Sequence, residues 1–278
     1  MRFGSHISIR NGYYKAAANA KAIGAAAFQY FPKNPRSLQI KRYDRNDAAK
    51  CAAFCAENGI VSIAHAPYPT NVAVSDREMR EAIICSIVND LNIVEDCGSI
   101  GLVVHFGSHK GLDPIEGYKT MIDVVNEVLK DWSGDGLLLI ENTAGKGTEM
   151  GTTFDELAKI RQLCDRPEKI GFCLDTCHLY ASGYWTGENW EELVEKGTEL
   201  GYFAALKAVH LNNSTYESGS RRDRHANIHS GKIPEEAMIR FMTSNPIKAL
   251  PMILETPDSD AYTHQDEITY LKQQVHSF

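Results

Sequence analysis

A chain of 278 residues with 43% hydrophobic and 23% charged residues can bury a large core and has the composition of an ordinary globular enzyme. It has no run of 18 apolar residues, which excludes a membrane-spanning helix, and its start, MRFGSHISIR, lacks the features of a secretory leader, so a cytoplasmic protein is expected. The formal net charge of −7 runs against simple attraction to a polyanion, yet three divalent ions held by carboxylates would bring it to −1, so nucleic acid stays open as a partner.

Taken in chain order, short β-branched runs alternate with longer amphipathic stretches. Strand Phe3–Ile7 leads to a helix over Gly12–Ile23, and strand Ala27–Tyr30 to a helix over Arg45–Asn58. Strand Ile60–Ala64 precedes helix Arg77–Cys97, which Ser75, Asp76 and Glu78 open, and strand Gly101–His105 precedes helix Ile115–Leu129. Strand Leu137–Ile140 is followed by helix Phe154–Leu163 behind Thr153, and strand Ile170–Leu174 by helix Asn189–Leu200. Strand Leu206–His210 with helix Pro234–Met242, and strand Pro251–Leu254 with helix His264–Val275, complete the series. Strict alternation argues for a parallel sheet, and eight units are the number that closes a (β/α)₈ TIM barrel, here one domain over residues 1–278. A doubly wound open sheet is the rival, but GSHIS after the first strand is not the glycine-rich phosphate loop such sheets carry. The seven cysteines include no Cys-x-x-Cys pair and are expected to be reduced, buried thiols.

Chemistry gathers at the strand ends. His65, His105, Glu141, Asp175, His210 and Glu255 close strands three to eight, 40, 36, 34, 35 and 45 residues apart. A barrel brings those positions to one mouth, at the end where barrel enzymes carry their active sites. One such residue alone is ordinarily a hydrogen-bonded loop side chain; six in register would repel or be poorly solvated without cations. His178 follows Asp175 by three residues, and Asp223-Arg-His225 lies in the long loop after strand seven, where alternate residues share a face. Imidazole and carboxylate without thiolate suit zinc, or Mn²⁺ or Fe²⁺ in an oxygen-rich subsite. Lys33, Asn34, Arg36, Tyr68, Arg221, Arg222 and Arg224 sit on rim loops and fit a polyanion.

The segments His65-Ala-Pro-Tyr68, His105-Phe-Gly-Ser-His109, Glu141-Asn-Thr-Ala-Gly145, Asp175-Thr-Cys-His178, His210-Leu-Asn212, Asp223-Arg-His225 and Ile253-Leu-Glu255-Thr256, in that order, resemble the endonuclease IV family of apurinic/apyrimidinic endonucleases nearly end to end. The resemblance implies three zinc ions: one on His65, His105 and Glu141; a second on Glu141, Asp175, His210 and Glu255; a third on His178, Asp223 and His225. It implies Glu141 as the residue that orients water and takes its proton, and His109 as a supporting residue rather than a ligand. Further implications are a monomer acting on abasic sites in double-stranded DNA, 5′ incision that leaves a 3′-hydroxyl and a 5′-deoxyribose phosphate, and trimming of blocked 3′ ends. The loops with Lys33, Asn34 and Arg36 and with Tyr68 would enter the minor groove and help extrude the abasic nucleotide, while Arg222 and Arg224 are DNA-binding candidates by their place on the rim.

Three departures stand out: Phe106 where the family usually has Pro, Asn213 where Asp is usual, and His229 in the segment closing the third-ion loop, where it could disturb that ion. A sugar isomerase or epimerase on the same kind of barrel is the competing reading, though it has no need of the His178, Asp223 and His225 triplet. A damage-binding protein without activity is a further one, against which the complete ligand set argues.

Overall fold

The computed structural model describes residues 1–111 and 113–276. Strands β1 (Arg2–His6), β2 (Ala27–Tyr30), β3 (Val61–His65), β4 (Gly101–His105), β5 (Leu137–Glu141), β6 (Ile170–Asp175), β7 (Leu206–His210) and β10 (Pro251–Leu254) form the barrel; β8 (Asn213–Ser214) and β9 (His225–Ala226) pair separately. The barrel closes in the order β1-β10-β7-β6-β5-β4-β3-β2, and every pairing in it is parallel. The expected (β/α)₈ fold is therefore the observed one, with strand limits moved by a residue in places. Those shifts make His65, Glu141 and Asp175 the last residues of their own strands.

The helices are α1 (Tyr13–Ala22), α2 (Arg45–Asn58), α3 (Arg77–Asp96), α4 (Pro114–Leu129), α5 (Phe154–Leu163), α6 (Thr176–Ala181), α7 (Trp190–Glu199), α8 (Tyr202–Ala205), α9 (Glu235–Thr243) and α10 (His264–His276). Side-chain caps fix several starts: Asp44 accepts from Asn46 and Asp47 at α2, and Thr153 and Glu156 form a reciprocal capping box at α5. At α3 the cap is Asp76, which accepts from Met79, one residue beyond Ser75. The short α6 and α8 and the β8–β9 pair were not in the expected series. They are too brief to show a period of their own.

Alternation along the strands divides the core in two. Ala27, Ile63, Val103, Leu139, Cys173, Ala208 and Ile253 point inward and fill the barrel. The opposite faces pack with the helices in a second, larger cluster that includes Phe3, Phe28, Tyr30, Phe172 and Trp185. All seven cysteines are free, as expected, and all but the exposed Cys85 are buried. Among the described residues no helix is long and apolar enough to cross a membrane.

Candidate metal centre

Two residues beyond the inward apolar ring, on the same face of each strand, every barrel strand presents a polar side chain. They are His6, Gln29, His65, His105, Glu141, Asp175, His210 and, just past β10, Glu255. Six of these are the strand-end residues named from sequence. His6 and Gln29 were missed, although the signal was the same two-residue step, from Gly4 and Ala27. A cavity of about 750 Å³ opens above them, lined among others by His6, His65, Tyr68, His105, Glu141 and His178.

The two oxygens of Glu141 face different partners. Oε2 lies 3.5 Å from His65 Nε2 and 3.4 Å from His105 Nε2, and it is buried with no hydrogen-bond partner. Oε1 lies 2.8 Å from His210 Nδ1 and 3.5 Å from His178 Nδ1. His210 Nδ1 is also 3.4 Å from Glu255 Oε2 and 4.0 Å from Asp175 Oδ2. Beside this pair of groups, Asp223 Oδ1 is 3.3 Å from both His178 Nε2 and His225 Nε2. Three sets thus have ligand atoms within 4.8 Å of one another: His65, His105 and Glu141; Glu141, Asp175, His210 and Glu255; His178, Asp223 and His225. Asp175, Cys177 and His225 form a fourth such set, but burial pushes the Cys177 thiol up to about 12, which favours the first three over a thiolate ligand.

The imidazoles are oriented by their other nitrogens. His65 Nδ1 is 2.7 Å from the Ala66 carbonyl, His178 Nδ1 3.0 Å from that of Asn142, and His225 Nδ1 3.2 Å from that of Glu255. A nitrogen beside a carbonyl carries the proton, so Nε2 of each ring is left as the free donor atom toward the cavity. Among the described residues, His225 Nε2, like Glu141 Oε2, is buried without a hydrogen-bond partner. Buried polar atoms left unpaired are costly, and two of them turned toward shared points fit bound cations. Asn212 and Asn142 hold the carboxylates. Asn212 Nδ2 donates to Asp175 Oδ2 at 2.7 Å and Glu255 Oε2 at 3.3 Å, while Asn142 exchanges two hydrogen bonds with the Asp175 backbone.

The electrostatics agree. Burial disfavours charge on all of these groups, yet His225 is raised to about 9 by Asp223 and Asp175, His178 is held well above the ordinary range by Asp175 and Asp223, and His210 by Cys173 first and then by Glu255 and Glu141. Glu255 is lowered to about 2 by His210 and His225 against the opposing effect of burial, and Asp223 is pulled down by His178 and His225. Around Asp223 and Glu255 the attraction between carboxylates and imidazoles outweighs burial; at His105 it does not, and burial lowers that ring to about 4.

The rim residues divide. Tyr68 is exposed and lines the cavity; its ring meets Phe31 edge-on at 5.1 Å, and its N–H donates to the Pro35 carbonyl at 2.8 Å. Asn34 and Arg36 are exposed, with Asn34 Oδ1 accepting from the Arg36 N–H. Arg224 lines the cavity, Arg222 lies over the Tyr216 ring, and Arg221 is exposed. Lys33 corrects the expectation. It is buried, its Nζ lies 2.9 Å from Asp90 Oδ1 and bonds the Ser86 hydroxyl and carbonyl, so it anchors its loop from beneath and offers nothing to a ligand. Among the described residues, His109 has no hydrogen bond to a member of the three sets, and its buried Nδ1 has no partner.

The departures have local reasons. Phe106 donates its backbone N–H to the Glu141 carbonyl at 3.1 Å, a bond a proline could not make, and its ring fills the space over Gly151. Asn213 is buried; its Nδ2 donates to the Ile228 and Ile233 carbonyls, and its Oδ1 accepts from the Ser214 and Ile233 N–H groups. An aspartate has no proton to donate there at neutral pH, so Asn213 closes the loop that carries Asp223 and His225. A Cβ on Gly231 would come within 2.2 Å of that Asn213 side chain. His229 packs edge-on against Tyr262 at 4.5 Å, away from the cavity lining, and does not meet the third set.

Comparison with known proteins gives a consistent result. The family model for xylose isomerase-like TIM barrels matches residues 17–274. A probable endonuclease 4 of Symbiobacterium thermophilum is 42% identical over 272 residues, covering 98% of this chain and 99% of the relative. The crystal structure of endonuclease IV from Thermus thermophilus matches with a TM-score of 0.88 at 30% identity, covering 100% of both chains. A D-tagatose 3-epimerase-like protein shares the fold, with a TM-score of 0.73 at 17% identity over 99% of this chain and 97% of its own.

Proposed function

This chain belongs to the xylose isomerase-like TIM barrel family and, within it, to the endonuclease IV family, and we propose that it hydrolyses the phosphodiester 5′ to abasic sites in double-stranded DNA with three zinc ions. The observation that carries this reading is the split of Glu141, one oxygen toward His65 and His105 and the other toward His210, with His178, Asp223 and His225 alongside. An isomerase centre of one or two ions has no use for that third set.

In this reading His65, His105 and Glu141 hold one ion, Glu141, Asp175, His210 and Glu255 a second, and His178, Asp223 and His225 a third. The four-membered set, three of whose side chains are carboxylates, is the place for Mn²⁺ or Fe²⁺ if one replaces zinc. Bound there, divalent ions lower the pKa of water toward ~7 and neutralise charge on a phosphodiester. Glu141 orients the attacking water and accepts its proton at a carboxylate oxygen. Arg222 and Arg224 bind the DNA from the rim, and Tyr68 and the loop with Asn34 and Arg36 enter the minor groove and help extrude the abasic nucleotide. Selectivity follows because an abasic nucleotide is extruded without the few kcal/mol of unstacking that a normal one costs. The products are a 3′-hydroxyl and a 5′-deoxyribose phosphate, and the same centre trims blocked 3′ ends. The chain works as a single-domain monomer.

The test is incision of a 5′-labelled abasic duplex with and without chelator, beside incubation with ketoses and elemental analysis. The expected result is chelator-sensitive 5′ incision, no ketose conversion and about three ions per chain. Ketose conversion without incision would replace this reading with the isomerase one, and a clean value of one ion would remove the trinuclear centre.

A further inference from the structure

Gln29 lies beneath the cavity, fully buried, and touches both His210 and Glu255 across the barrel. Its Nε2 is 2.6 Å from Glu255 Oε1 and its Oε1 is 2.6 Å from His210 Nε2, while Nε2 also lies 3.3 Å from His6 Nδ1. The roles of these atoms follow from one constraint. A carboxylate only accepts, so the amide NH₂ must face Glu255 and the amide oxygen must face His210. His210 must then carry a proton on Nε2, so Nδ1, 2.8 Å from Glu141 Oε1, is the ring atom left to face an ion. The second amide hydrogen points to His6 Nδ1, which accepts it. None of the three other rings with a described outer partner is held this way: His65, His178 and His225 all use a backbone carbonyl.

We propose that Gln29 is the positioning residue of the second ion. One amide selects the His210 tautomer that can ligate through Nδ1 and restrains Glu255 through the oxygen turned away from that nitrogen. The imidazole of His210 lies inside the closed barrel, and among the described residues the partner of its outer nitrogen is the Gln29 amide oxygen rather than a backbone carbonyl. Gln29 reaches it from β2, two residues above Ala27 on the inward face. His6, paired with Gln29 in register, holds the amide from its other side.

The inference rests on the metal reading above, and the experiment separates the two. Full-length wild type, Gln29→Leu and Gln29→Glu are loaded with Zn²⁺ and equilibrated against chelators of graded affinity, and the ¹⁵N shifts of the His210 ring are recorded. Gln29→Leu removes both contacts; one ion should bind about 10- to 100-fold more weakly while the others keep their affinity, and the Nε2–H signature should be lost. Gln29→Glu can still accept from His210 but cannot donate to Glu255, so it should keep the tautomer while still loosening the ion. That split between the two readouts is one that general destabilisation would not produce, and it stands even if Gln29→Leu folds poorly. Wild-type zinc affinity in Gln29→Glu, or in folded Gln29→Leu, would overturn the inference alone. Wild type that retains no zinc would overturn the metal reading and the inference with it.

Discussion

Two clusters of buried charge in this barrel look alike in composition and differ in how their atoms are used. Under the loop after β2, Lys33 and Asp90 are each almost fully buried and lie 2.9 Å apart, and the Lys33 ammonium also donates to the Ser86 hydroxyl and carbonyl. Opposite charges meet one to one, and the ammonium has protein partners. At the mouth, carboxylates and imidazoles converge, yet Glu141 Oε2 and His225 Nε2 have no hydrogen-bond partner. Burial of charge alone therefore does not mark a functional centre. Nor does a missing hydrogen bond, since both Asp90 oxygens lack one as well; the mark is several carboxylate and imidazole donor atoms turned, through the far nitrogens of the rings, to face the same point. The Lys33 cluster pairs one cation with one anion and anchors a loop; the mouth gathers carboxylates and imidazoles around an open cavity.

That contrast can be broken most forcefully at Lys33. Removing one partner of a buried pair leaves the other charge unpaired, so Lys33→Met should cost about 3–5 kcal/mol in urea unfolding, and Lys33→Met with Asp90→Leu should regain most of it. Equal losses in the single and double variants would show that the pair is not a unit. At the mouth, Glu141→Gln should leave unfolding nearly unchanged but lower turnover on abasic duplex at least ~100-fold. Near-wild-type turnover would remove Glu141 from the chemistry.

A pH titration sharpens the same comparison. Burial raises Asp90 to about 6 in spite of the nearby Lys33 ammonium. The folded state then binds more protons than the unfolded chain between about pH 4 and 6, so stability falls as pH rises through that window and is level above it. The expected change is on the order of 2–3 kcal/mol, and Asp90→Asn should abolish it. A wild-type curve that is flat or rising there, once the mouth's contribution is removed by comparing the two proteins, would contradict the assignment. The smallest effect is expected at exposed Arg36, where Arg36→Ala should weaken binding to abasic duplex a few-fold and lower the salt slope by about 1. An unchanged slope would take that side chain off the DNA.

Much of this was legible in the chain. Strand character and the two-residue alternation are local properties, and the recurrence of a strand about every 35 residues is enough to expect eight units and a closed barrel. Because every strand runs the same way, the last inward residue of each had to reach one mouth, which is why His65, His105, Glu141, Asp175, His210 and Glu255 could be named from their positions. The direction of Lys33 could not, since it is set by Asp90, a residue on α3 that the sequence does not connect to the loop after β2. Gln29 reads as an ordinary strand residue until closure brings β2 within reach of His210 and Glu255, 181 and 226 residues away along the chain. Asn213 likewise acquires its purpose only when the loop it clamps has folded back over it. Patterns that repeat along the backbone determined the architecture and the strand-end histidines and carboxylates; contacts between distant segments, which depend on the packed geometry, decided which polar residues anchor, which orient and which face the cavity.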